Sequence, residues 1–260
     1  MKALLDQIKL FVLDMDGTFY LGNRRLDGAL EFLKKVKETG RDFVFFTNNS
    51  SKNGDLYIEK LAKMDCQITK DGIMTSGDVT IEYLKTNYPG KTVYLVGTPA
   101  LETVFREEGI LLTQEKPDIV VIGFDLTLTY EKLERACTYI REGALFLATH
   151  KDINCPTEEG FIPDCGAMCA AITLSTGVKP LYLGKPAKET VDMILHRTGY
   201  KKEEVAFVGD RLYTDVATGV NNGATGILVL SGETKMEDIE KSDIKPDAVF
   251  DSLKEIIDYL

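Results

Sequence analysis

Short apolar runs alternate with amphipathic helical patterns along most of this chain, and that alternation restricts its fold more than any other feature. Residues 28–39 and 53–64 show the helical pattern, the first with Asp27 as its expected N-cap and Gly40 as its C-terminal stop. Strands that alternate with helices of about 10–15 residues are typical of βαβ units in a parallel sheet, so an α/β fold is predicted. The expected strands are Leu10–Leu13, Phe43–Phe46, Val93–Val96, Ile119–Ile122, Leu145–Ala148, Leu181–Leu183, Val205–Val208 and Ile227–Leu230.

The charge balance disfavours a nucleic-acid polymer as a partner. The 260 residues include 41 acidic and 31 basic side chains, which gives a formal net charge of −10, and such a field repels polyanions. None of the apolar runs approaches the roughly 20 residues of a membrane span. Asp6, Gln7 and Lys9 interrupt the N-terminal stretch where a signal peptide would need its apolar core. No membrane partner is expected, and the cytoplasm is the predicted location.

The chain has five cysteines, an odd number without the regular spacing of a disulfide framework. Cys155, Cys165 and Cys169 lie near His150 in the sequence, which raises the question of a zinc site, but their spacing matches none of the usual paired-ligand patterns. Reduced thiols are therefore expected. His150 is a candidate substrate contact, with a structurally bonded histidine as the commoner alternative, and His196 is expected on a helix surface.

Carboxylates follow two of the predicted strands. Asp14 and Asp16 come directly after the first run, and Asp210 and Asp215 follow the run at Val205–Val208. Buried carboxylates that repel one another are costly, and a divalent cation such as Mg²⁺, which prefers hard oxygen ligands, would relieve that cost. The local alternatives are an Asx-rich turn for the first pair and a helix cap for the second.

Phosphate-binding groups are predicted at two further strand ends. Thr47, Asn48 and Asn49 follow the second run and offer hydroxyl, amide and backbone N–H groups just before a helix. Lys185 follows the run at Leu181–Leu183 and would neutralise a phosphoryl oxygen as a compact charge. Each signal has a local alternative, since the first is also compatible with a helix N-cap and the second with an ordinary loop lysine.

Together these four strand ends supply a nucleophile, a metal site, phosphate donors and a cation, which are the requirements of phosphoryl transfer. Open α/β sheets bind ligands outside the carboxyl ends of their strands, so the four groups are expected at one sheet edge. They fall in two distant parts of the chain, before about residue 75 and after about residue 180. The segment between them is long enough to be an inserted domain.

The same motifs, in the same order, resemble those of the haloacid dehalogenase (HAD) superfamily of phosphohydrolases. The long interval between Thr47 and Lys185 is similar to class IIA, the NagD-like or 4-nitrophenyl phosphatase branch. This resemblance implies a Rossmann-like parallel-sheet core at residues 1–76 and 180–260 and an inserted α/β cap domain at residues 77–179. The matching motifs are Asp14-x-Asp16-Gly17-Thr18, Thr47-Asn48-Asn49, Gly184-Lys185-Pro186 and Gly209-Asp210-x4-Asp215.

The resemblance extends into the cap. Pro156-Thr157-x-x-Gly160-x-x-Pro163, followed by Gly166, is similar to the cap loop of the branch and brings His150 and Asp152 into consideration as substrate-binding residues. The chain departs from the branch at two places, where the usual patterns are Asn-Pro-Asp and Pro-Gly-x-Gly-Ser. Both departures are expected to bear on the identity of the substrate rather than on the chemistry. They are His150-Lys151-Asp152 and Pro163-Asp164-Cys165-Gly166-Ala167.

The resemblance also implies roles for the core residues. Asp14 would be the nucleophile that forms an aspartyl-phosphate, and Asp16 would protonate the leaving oxygen and then take a proton from water. Mg²⁺ would be held by the Asp14 carboxylate, the Asp16 backbone carbonyl and the Asp210 carboxylate. Asp215 would orient Lys185 or a metal-bound water. The residues expected to bind the phosphate or the substrate are Thr47, Asn48, Asn49, His150, Asp152 and Lys185.

The predicted function is Mg²⁺-dependent hydrolysis of a small phosphomonoester of the nucleoside monophosphate, sugar phosphate, phosphoglycolate, pyridoxal phosphate or 4-nitrophenyl phosphate type. Asp16 disfavours a dehalogenase, because an acid/base two residues after the nucleophile serves phosphate-ester cleavage. A phospho-receiver-like regulatory module is much shorter than this chain and lacks the large insert, and a non-catalytic metal- or phosphate-binding protein stays open as an alternative. A homodimer formed through the caps follows from the resemblance alone.

Overall fold

The computed structural model describes residues 2–157 and 160–260. The two residues between Thr157 and Gly160, in the predicted cap loop, lie outside the described residues. In the described part of the chain, no helix has the length and apolar character needed to cross a membrane. The strands are β1 (Leu10–Leu13), β2 (Tyr20–Leu21), β3 (Arg24–Arg25), β4 (Asp42–Thr47), β5 (Ile73–Thr75), β6 (Thr92–Val96), β7 (Leu111–Leu112), β8 (Ile119–Ile122), β9 (Leu145–Ala148), β10 (Asn154–Thr157), β11 (Gly160–Pro163), β12 (Leu181–Tyr182), β13 (Val205–Gly209), β14 (Thr225–Val229) and β15 (Ala248–Phe250).

The helices alternate with these strands, as the sequence predicts. A π-helical turn at Leu212–Val216 directly precedes one of them, and short 3₁₀ turns connect several others. The α-helices are α1 (Lys2–Leu5), α2 (Ala29–Glu38), α3 (Gly54–Ala62), α4 (Ser76–Asn87), α5 (Pro99–Glu107), α6 (Tyr130–Arg141), α7 (Cys165–Thr176), α8 (Lys188–Thr198), α9 (Ala217–Asn222), α10 (Met236–Lys241) and α11 (Leu253–Ile256).

The chain divides into two compact units. The second unit includes Asn48–Tyr57 as well as the long segment Thr75–Gly184, which contains the predicted cap, residues 77–179. The predicted cap boundaries and the cap role of this segment stay predictions. The first unit consists of Met1–Thr47, Ile58–Met74 and Lys185–Leu260, and the second of Asn48–Tyr57 and Thr75–Gly184.

The main sheet of the first unit has the strand order β15-β14-β13-β1-β4-β5. β1 lies between β13 and β4 and is parallel to both, with Leu13 opposite Val208 on one side and Phe45 on the other. β1, β13 and β14 are buried along their whole length, which is typical of a parallel sheet covered on both faces. The segments that follow these strands therefore meet at one edge of the sheet.

The second unit has its own sheet, of strand order β12-β9-β8-β6-β7, in which each neighbouring pair is parallel. Helices α6 and α7 contribute Ile140 and Ile172 to a core shared with Val120 and Phe146 of that sheet. β10 and β11 pair with each other in antiparallel orientation. The predicted α/β fold with parallel sheets is confirmed.

One predicted strand lies in a different sheet from the expected one. The sequence places the run at Leu181–Leu183 among four strands that share a single edge, and this is wrong, because β12 pairs with β9 in the sheet of the second unit. Gly184 continues that pairing by donating its N–H to the Thr149 carbonyl at 2.7 Å. Lys185 then begins the last segment of the first unit, so a loop rather than a strand of the main sheet carries it.

The expected cap of the first long helix is also wrong. The N-cap of α2 is Gly28, with φ 77° and no side-chain hydrogen bond, and not Asp27. Asp27 instead accepts a hydrogen bond from Lys254 at 2.6 Å. A Cβ at position 28 would lie 2.4 Å from the Cβ of Lys254, so the close approach of the C-terminal segment and the positive φ both require glycine there.

Replacing Phe11 by alanine should destabilise the first unit by about 3–5 kcal/mol, because a fully buried ring is removed from a well-packed core. The Phe11 ring packs edge-on against Phe32 of α2, with 5.4 Å between ring centroids. Urea unfolding followed by far-UV circular dichroism measures the change. The exposed Met236 provides the control, since Met236→Ala should stay within about 0.5 kcal/mol of the wild type. A cost of under about 1 kcal/mol for Phe11→Ala would contradict this account of the core.

Candidate active site

Lys185 is a buried ammonium group between two carboxylates of the first unit. Its Nζ donates hydrogen bonds to Oδ1 of Asp14 at 2.7 Å and to Oδ1 of Asp215 at 2.6 Å. Burial by itself lowers the pKa of Lys185, but the charges of Asp14 and Asp215 outweigh burial and hold that pKa above its usual value. Lys185 is therefore a fixed positive charge at this sheet edge.

Three carboxylates lie close together beside Lys185. One oxygen from each of Asp14, Asp210 and Asp215 lies within 4.8 Å of the others. Burial is the main cause that raises the pKa of Asp14 to about 6. Burial, together with the charges of Asp14 and Asp215, raises the pKa of Asp210 to about 8. When all three are ionised, the group carries more negative charge than Lys185 balances.

One oxygen of Asp210 is suitably placed for a metal ligand. Its Oδ2 accepts the backbone N–H of Glu233 at 2.7 Å, whereas Oδ1 is buried and has no hydrogen-bond partner among the described residues. Carboxylate oxygens are the ligands that hard divalent cations prefer. The carboxylates of Asp14 and Asp210, with this unpartnered oxygen, therefore fit a divalent metal ion.

Asp215 is held by the protein through both of its oxygens. Oδ1 accepts from Lys185, and Oδ2 accepts the backbone N–H of Arg211 at 3.1 Å. The approach is possible because position 209 is glycine, where a Cβ would lie 2.2 Å from Cγ of Asp215. Of the two roles predicted for Asp215, the contact with Lys185 is the one present here.

Asp16 lies at the exposed side of the same strand end. Its Oδ1 accepts the N–H of Gly22 at 3.3 Å, and its carboxylate is not part of the acidic group of Asp14, Asp210 and Asp215. An exposed carboxylate exchanges protons readily with water, which suits an acid/base. Gly17, next to it, has φ +88°, and a Cβ there would lie 2.4 Å from Oδ2 of Asp210, so this turn requires glycine.

The residues predicted to hold phosphoryl oxygens fall in both units. Thr47 ends β4 in the first unit, and Asn48 and Asn49 begin the second. Oδ1 of Asn49 accepts hydrogen bonds from the N–H of Ser51 at 2.9 Å and from its hydroxyl at 2.7 Å, which is an Asx turn. The local turn therefore supplies the hydrogen-bond donors of Oδ1 of Asn49. The phosphate contacts of Thr47, Asn48 and Asn49 stay predictions.

His150 is fully buried in the second unit. Its Nε2 lies 2.8 Å from Oδ1 of Asp164 and its Nδ1 lies 3.0 Å from the hydroxyl of Thr149. These bonds favour a structurally bonded histidine, and the predicted substrate contact stays a prediction. Asp152 accepts from the Asn48 amide at 3.1 Å through Oδ2, whereas its Oδ1 is buried and has no hydrogen-bond partner among the described residues. His196, in contrast, is exposed on α8, as expected.

His150, its acidic partner Asp164 and the neighbouring Cys165 form a polar cluster in the second unit. Burial alone would lower the pKa of His150, but the charge of Cys165 and the hydrogen bond to Asp164 raise it to about 9. Cys165 donates to the carbonyl of Ile122 at 3.3 Å. The five cysteines form no disulfide among the described residues, and four of them are buried.

The sequence analysis missed the segment Ser231–Thr234, which follows β14 at the same edge. The Ser231 hydroxyl donates to the Gly17 carbonyl at 2.7 Å, and the Thr234 N–H donates to the Asp210 carbonyl at 3.2 Å. A polar segment directly after a predicted buried strand was the available signal. Its contacts with Asp210 come from backbone N–H groups, which residue types do not reveal.

Two family models match the chain. A model described as haloacid dehalogenase-like hydrolase matches residues 11–111, and one described as HAD-hydrolase-like matches residues 182–256. The acid sugar phosphatase of Staphylococcus aureus strain MRSA252 is 37% identical over 254 residues, which cover 97% of this chain and 98% of that protein.

Solved structures resemble the chain over almost its full length. The 4-nitrophenylphosphatase from Thermotoga maritima is 50% identical, with a TM-score of 0.95 and coverage of 98% of each chain. NagD from Escherichia coli K-12 is 32% identical, with a TM-score of 0.89 and coverage of 96% of this chain and 98% of that one. The similarity therefore includes both units.

The raised pKa of His150 predicts how the stability of the protein changes with pH. Because the folded pKa of about 9 exceeds the ordinary value of 6.5, this group stabilises the folded state fully below about pH 6.5, and that contribution is lost as pH rises through about 9. Between about pH 7 and pH 10, the melting temperature should fall further in the wild type than in His150→Gln, by roughly 2–4 °C or more. Differential scanning fluorimetry measures both profiles. His196→Gln should follow the wild type, and parallel profiles for wild type and His150→Gln would contradict the assignment.

Proposed function

Because the chain belongs to the haloacid dehalogenase-like hydrolase family, we propose that it hydrolyses small phosphomonoesters in a Mg²⁺-dependent reaction through an aspartyl-phosphate on Asp14. The chain is a phosphatase, as its relatives are, and the non-catalytic alternative is set aside for that reason. The observation that carries the proposal is the buried ion group of Lys185 with Asp14 and Asp215, beside the unpartnered Oδ1 of Asp210.

Asp14 performs the first half of the reaction. A carboxylate oxygen of Asp14 attacks phosphorus, and a P–O bond to the enzyme forms while the bond to the leaving oxygen breaks. Asp16 donates its proton to that leaving oxygen. The hydrogen bond from Lys185 supports the ionised form of Asp14 and offsets the negative charge of the phosphoryl group. Thr47 and Asn48 donate to the non-bridging oxygens.

Asp16 performs the second half. As a carboxylate it accepts a proton from a water molecule whose oxygen attacks phosphorus, and the bond between phosphorus and Asp14 breaks. Phosphate leaves, and Asp14 returns to its original form. Asp16 is already a carboxylate once it has protonated the leaving oxygen, and the proton that it takes from water restores its acid form for the next turnover. Its exposure supports this double role, because both the leaving group and the water can reach it.

Mg²⁺ would be held by the carboxylates of Asp14 and Asp210 and by the backbone carbonyl of Asp16. When bound, it neutralises charge so that an anionic nucleophile and an anionic phosphate can approach each other. Asp215 would support this site from outside, through Lys185 and the Arg211 N–H. The family generally uses a divalent metal, and the acidic group described above is compatible with one.

The names of the relatives favour two substrate classes. Sugar phosphates and aryl phosphates are proposed first, because similar proteins are named acid sugar phosphatase and 4-nitrophenylphosphatase. Nucleoside monophosphates, phosphoglycolate and pyridoxal phosphate remain in the panel to be assayed. The cytoplasmic location and a cap-mediated homodimer stay predictions of the sequence, the first supported by free thiols.

Asp14→Asn should lower the hydrolysis of 4-nitrophenyl phosphate by roughly 10³-fold or more, because the nucleophile is removed while the fold is kept. Excess EDTA should abolish wild-type turnover, and Mg²⁺ should restore it. Release of 4-nitrophenol measures both effects. Asp71→Asn, at an exposed aspartate of the first unit, is the matched control and should keep wild-type activity. Unchanged turnover in Asp14→Asn, or in wild type under EDTA, would count against the proposed mechanism.

The acid role of Asp16 predicts a dependence on the leaving group. Asp16→Asn should reduce hydrolysis of a sugar phosphate by at least about tenfold more than hydrolysis of 4-nitrophenyl phosphate, because an alkoxide needs a proton to leave and 4-nitrophenolate does not. Comparing kcat for the two substrates in wild type and variant measures the difference. An equal loss on both would instead indicate that Asp16 acts mainly on the water or on the metal.

A further inference from the structure

The orientation of Asp210 depends on the segment after β14. Lys185 donates hydrogen bonds to Asp14 and Asp215, and Asp210 has a separate contact with the backbone of Glu233. The Glu233 N–H holds its Oδ2 at 2.7 Å, which leaves the buried Oδ1 without a hydrogen-bond partner among the described residues. A carboxylate that is held at one oxygen presents the other in a single direction.

Gly232 allows this contact. A Cβ at position 232 would lie 2.0 Å from Oδ2 of Asp210, much closer than atoms can approach. The residue is exposed, and its φ is not among the positive values that only glycine adopts readily. A side chain is therefore excluded by the contact with Asp210 and not by the backbone conformation of the segment.

Two side chains fix the segment in place. The Ser231 hydroxyl bonds to the Gly17 carbonyl at 2.7 Å, next to the turn that carries Asp16. The Glu233 carboxylate accepts from the Tyr213 hydroxyl at 2.9 Å, and Nε of Arg211 lies 2.9 Å from its other oxygen. The Glu233 side chain therefore contacts Arg211 and Tyr213, which follow Asp210 in sequence.

Arg211 gives the Glu233 contact an electrostatic role as well. Arg211 directly follows Asp210 in sequence, and the Nε of its guanidinium lies 2.9 Å from the Glu233 carboxylate. A guanidinium near Asp14 and Asp210 would compete with a metal ion for those carboxylates if it were released. The carboxylate of Glu233 gives it a separate partner.

We infer that Ser231–Thr234 is a positioning element for the metal-binding carboxylate, in which Gly232 and Glu233 hold Asp210 so that its Oδ1 faces the cation. The inference rests on the proposed function, because it takes Asp210 as a metal ligand. None of these residues contacts the phosphate in this scheme. They act through Asp210, in the way that outer partners orient metal ligands in other sites.

The test is metal affinity. Mn²⁺, which shares the oxygen preference of Mg²⁺, is titrated into metal-free protein and the free ion is followed by electron paramagnetic resonance. Gly232→Ala should raise the dissociation constant by about 10–100-fold, the range found for residues that orient metal ligands. Glu233→Ala should raise it less, by roughly three- to tenfold, because the backbone N–H that bonds to Asp210 is kept. Glu233→Gln, which keeps an oxygen acceptor for Tyr213, should recover most of the affinity.

Activity supplies a second readout. The Mg²⁺ concentration for half-maximal hydrolysis of 4-nitrophenyl phosphate should rise in parallel with the Mn²⁺ dissociation constant, whereas kcat of Glu233→Ala at saturating Mg²⁺ should stay within about threefold of the wild type. The melting temperature without metal should change little for Glu233→Ala, because half-exposed ion pairs contribute only about 0.2–1 kcal/mol. A purely structural role would change stability and leave metal affinity unaltered.

Matched variants separate the possible failures. Gly72→Ala and the exposed Glu237→Ala change residues of the first unit that have no described hydrogen bond to Asp210, and both should bind Mn²⁺ as the wild type does. Asp210→Asn tests the metal assignment itself, and if it binds Mn²⁺ normally, the proposed function fails at that point. If Asp210→Asn loses Mn²⁺ while Gly232→Ala and Glu233→Ala keep it within about twofold, this inference alone is overturned. If Gly232→Ala does not fold, Glu233→Ala and Ser231→Ala decide the question.

Discussion

The first unit depends on one buried ammonium, Lys185, placed among carboxylates that repel one another. Removing either partner of such a buried pair leaves an uncompensated charge, which typically costs about 3–5 kcal/mol. Lys185 has hydrogen bonds to Asp14 and Asp215 but cannot balance Asp210 in addition. When all three carboxylates are ionised, the remaining negative charge favours a second cation. The charge imbalance of this group is thus compatible with the proposed binding of a metal ion.

The fold makes this crowding possible through close backbone approach. Parallel pairing of β1 with β13 and β4 brings three strand ends to one edge, and glycine at Gly17, Gly209 and Gly232 leaves room for carboxylates where a Cβ would collide with them. Each of these glycines faces Asp210 or Asp215. Main-chain N–H groups therefore orient Asp210 and Asp215, in addition to the Lys185 side chain, which donates to Asp14 and Asp215.

The second unit contains a contrasting arrangement. His150 is buried with partners at both ring nitrogens, and the Asp164 carboxylate, 2.8 Å from Nε2, balances its charge. The sequence raised zinc binding and substrate contact for these residues because their types are compatible with either. Burial and hydrogen bonding account for the close approach of His150, Asp164 and Cys165, and the substrate contact of His150 stays a prediction. Residue types alone could not distinguish a zinc ligand, a substrate contact and a structurally bonded histidine, because the distinction depends on whether the side chain is exposed to solvent.

The sequence by itself determined the α/β class, most strands and the residue types at the strand ends, because apolar periodicity and polar residues after apolar runs are local properties. It identified Asp14, Asp210 and Lys185 as members of a charged site. Tertiary structure decided which sheet takes β12, that Gly28 rather than Asp27 begins α2, and that Ser231–Thr234 holds Asp210. These outcomes depend on pairing partners and backbone hydrogen bonds between residues far apart in sequence. No local sequence pattern encodes these three outcomes, because each one depends on which distant residues the folded chain brings into contact.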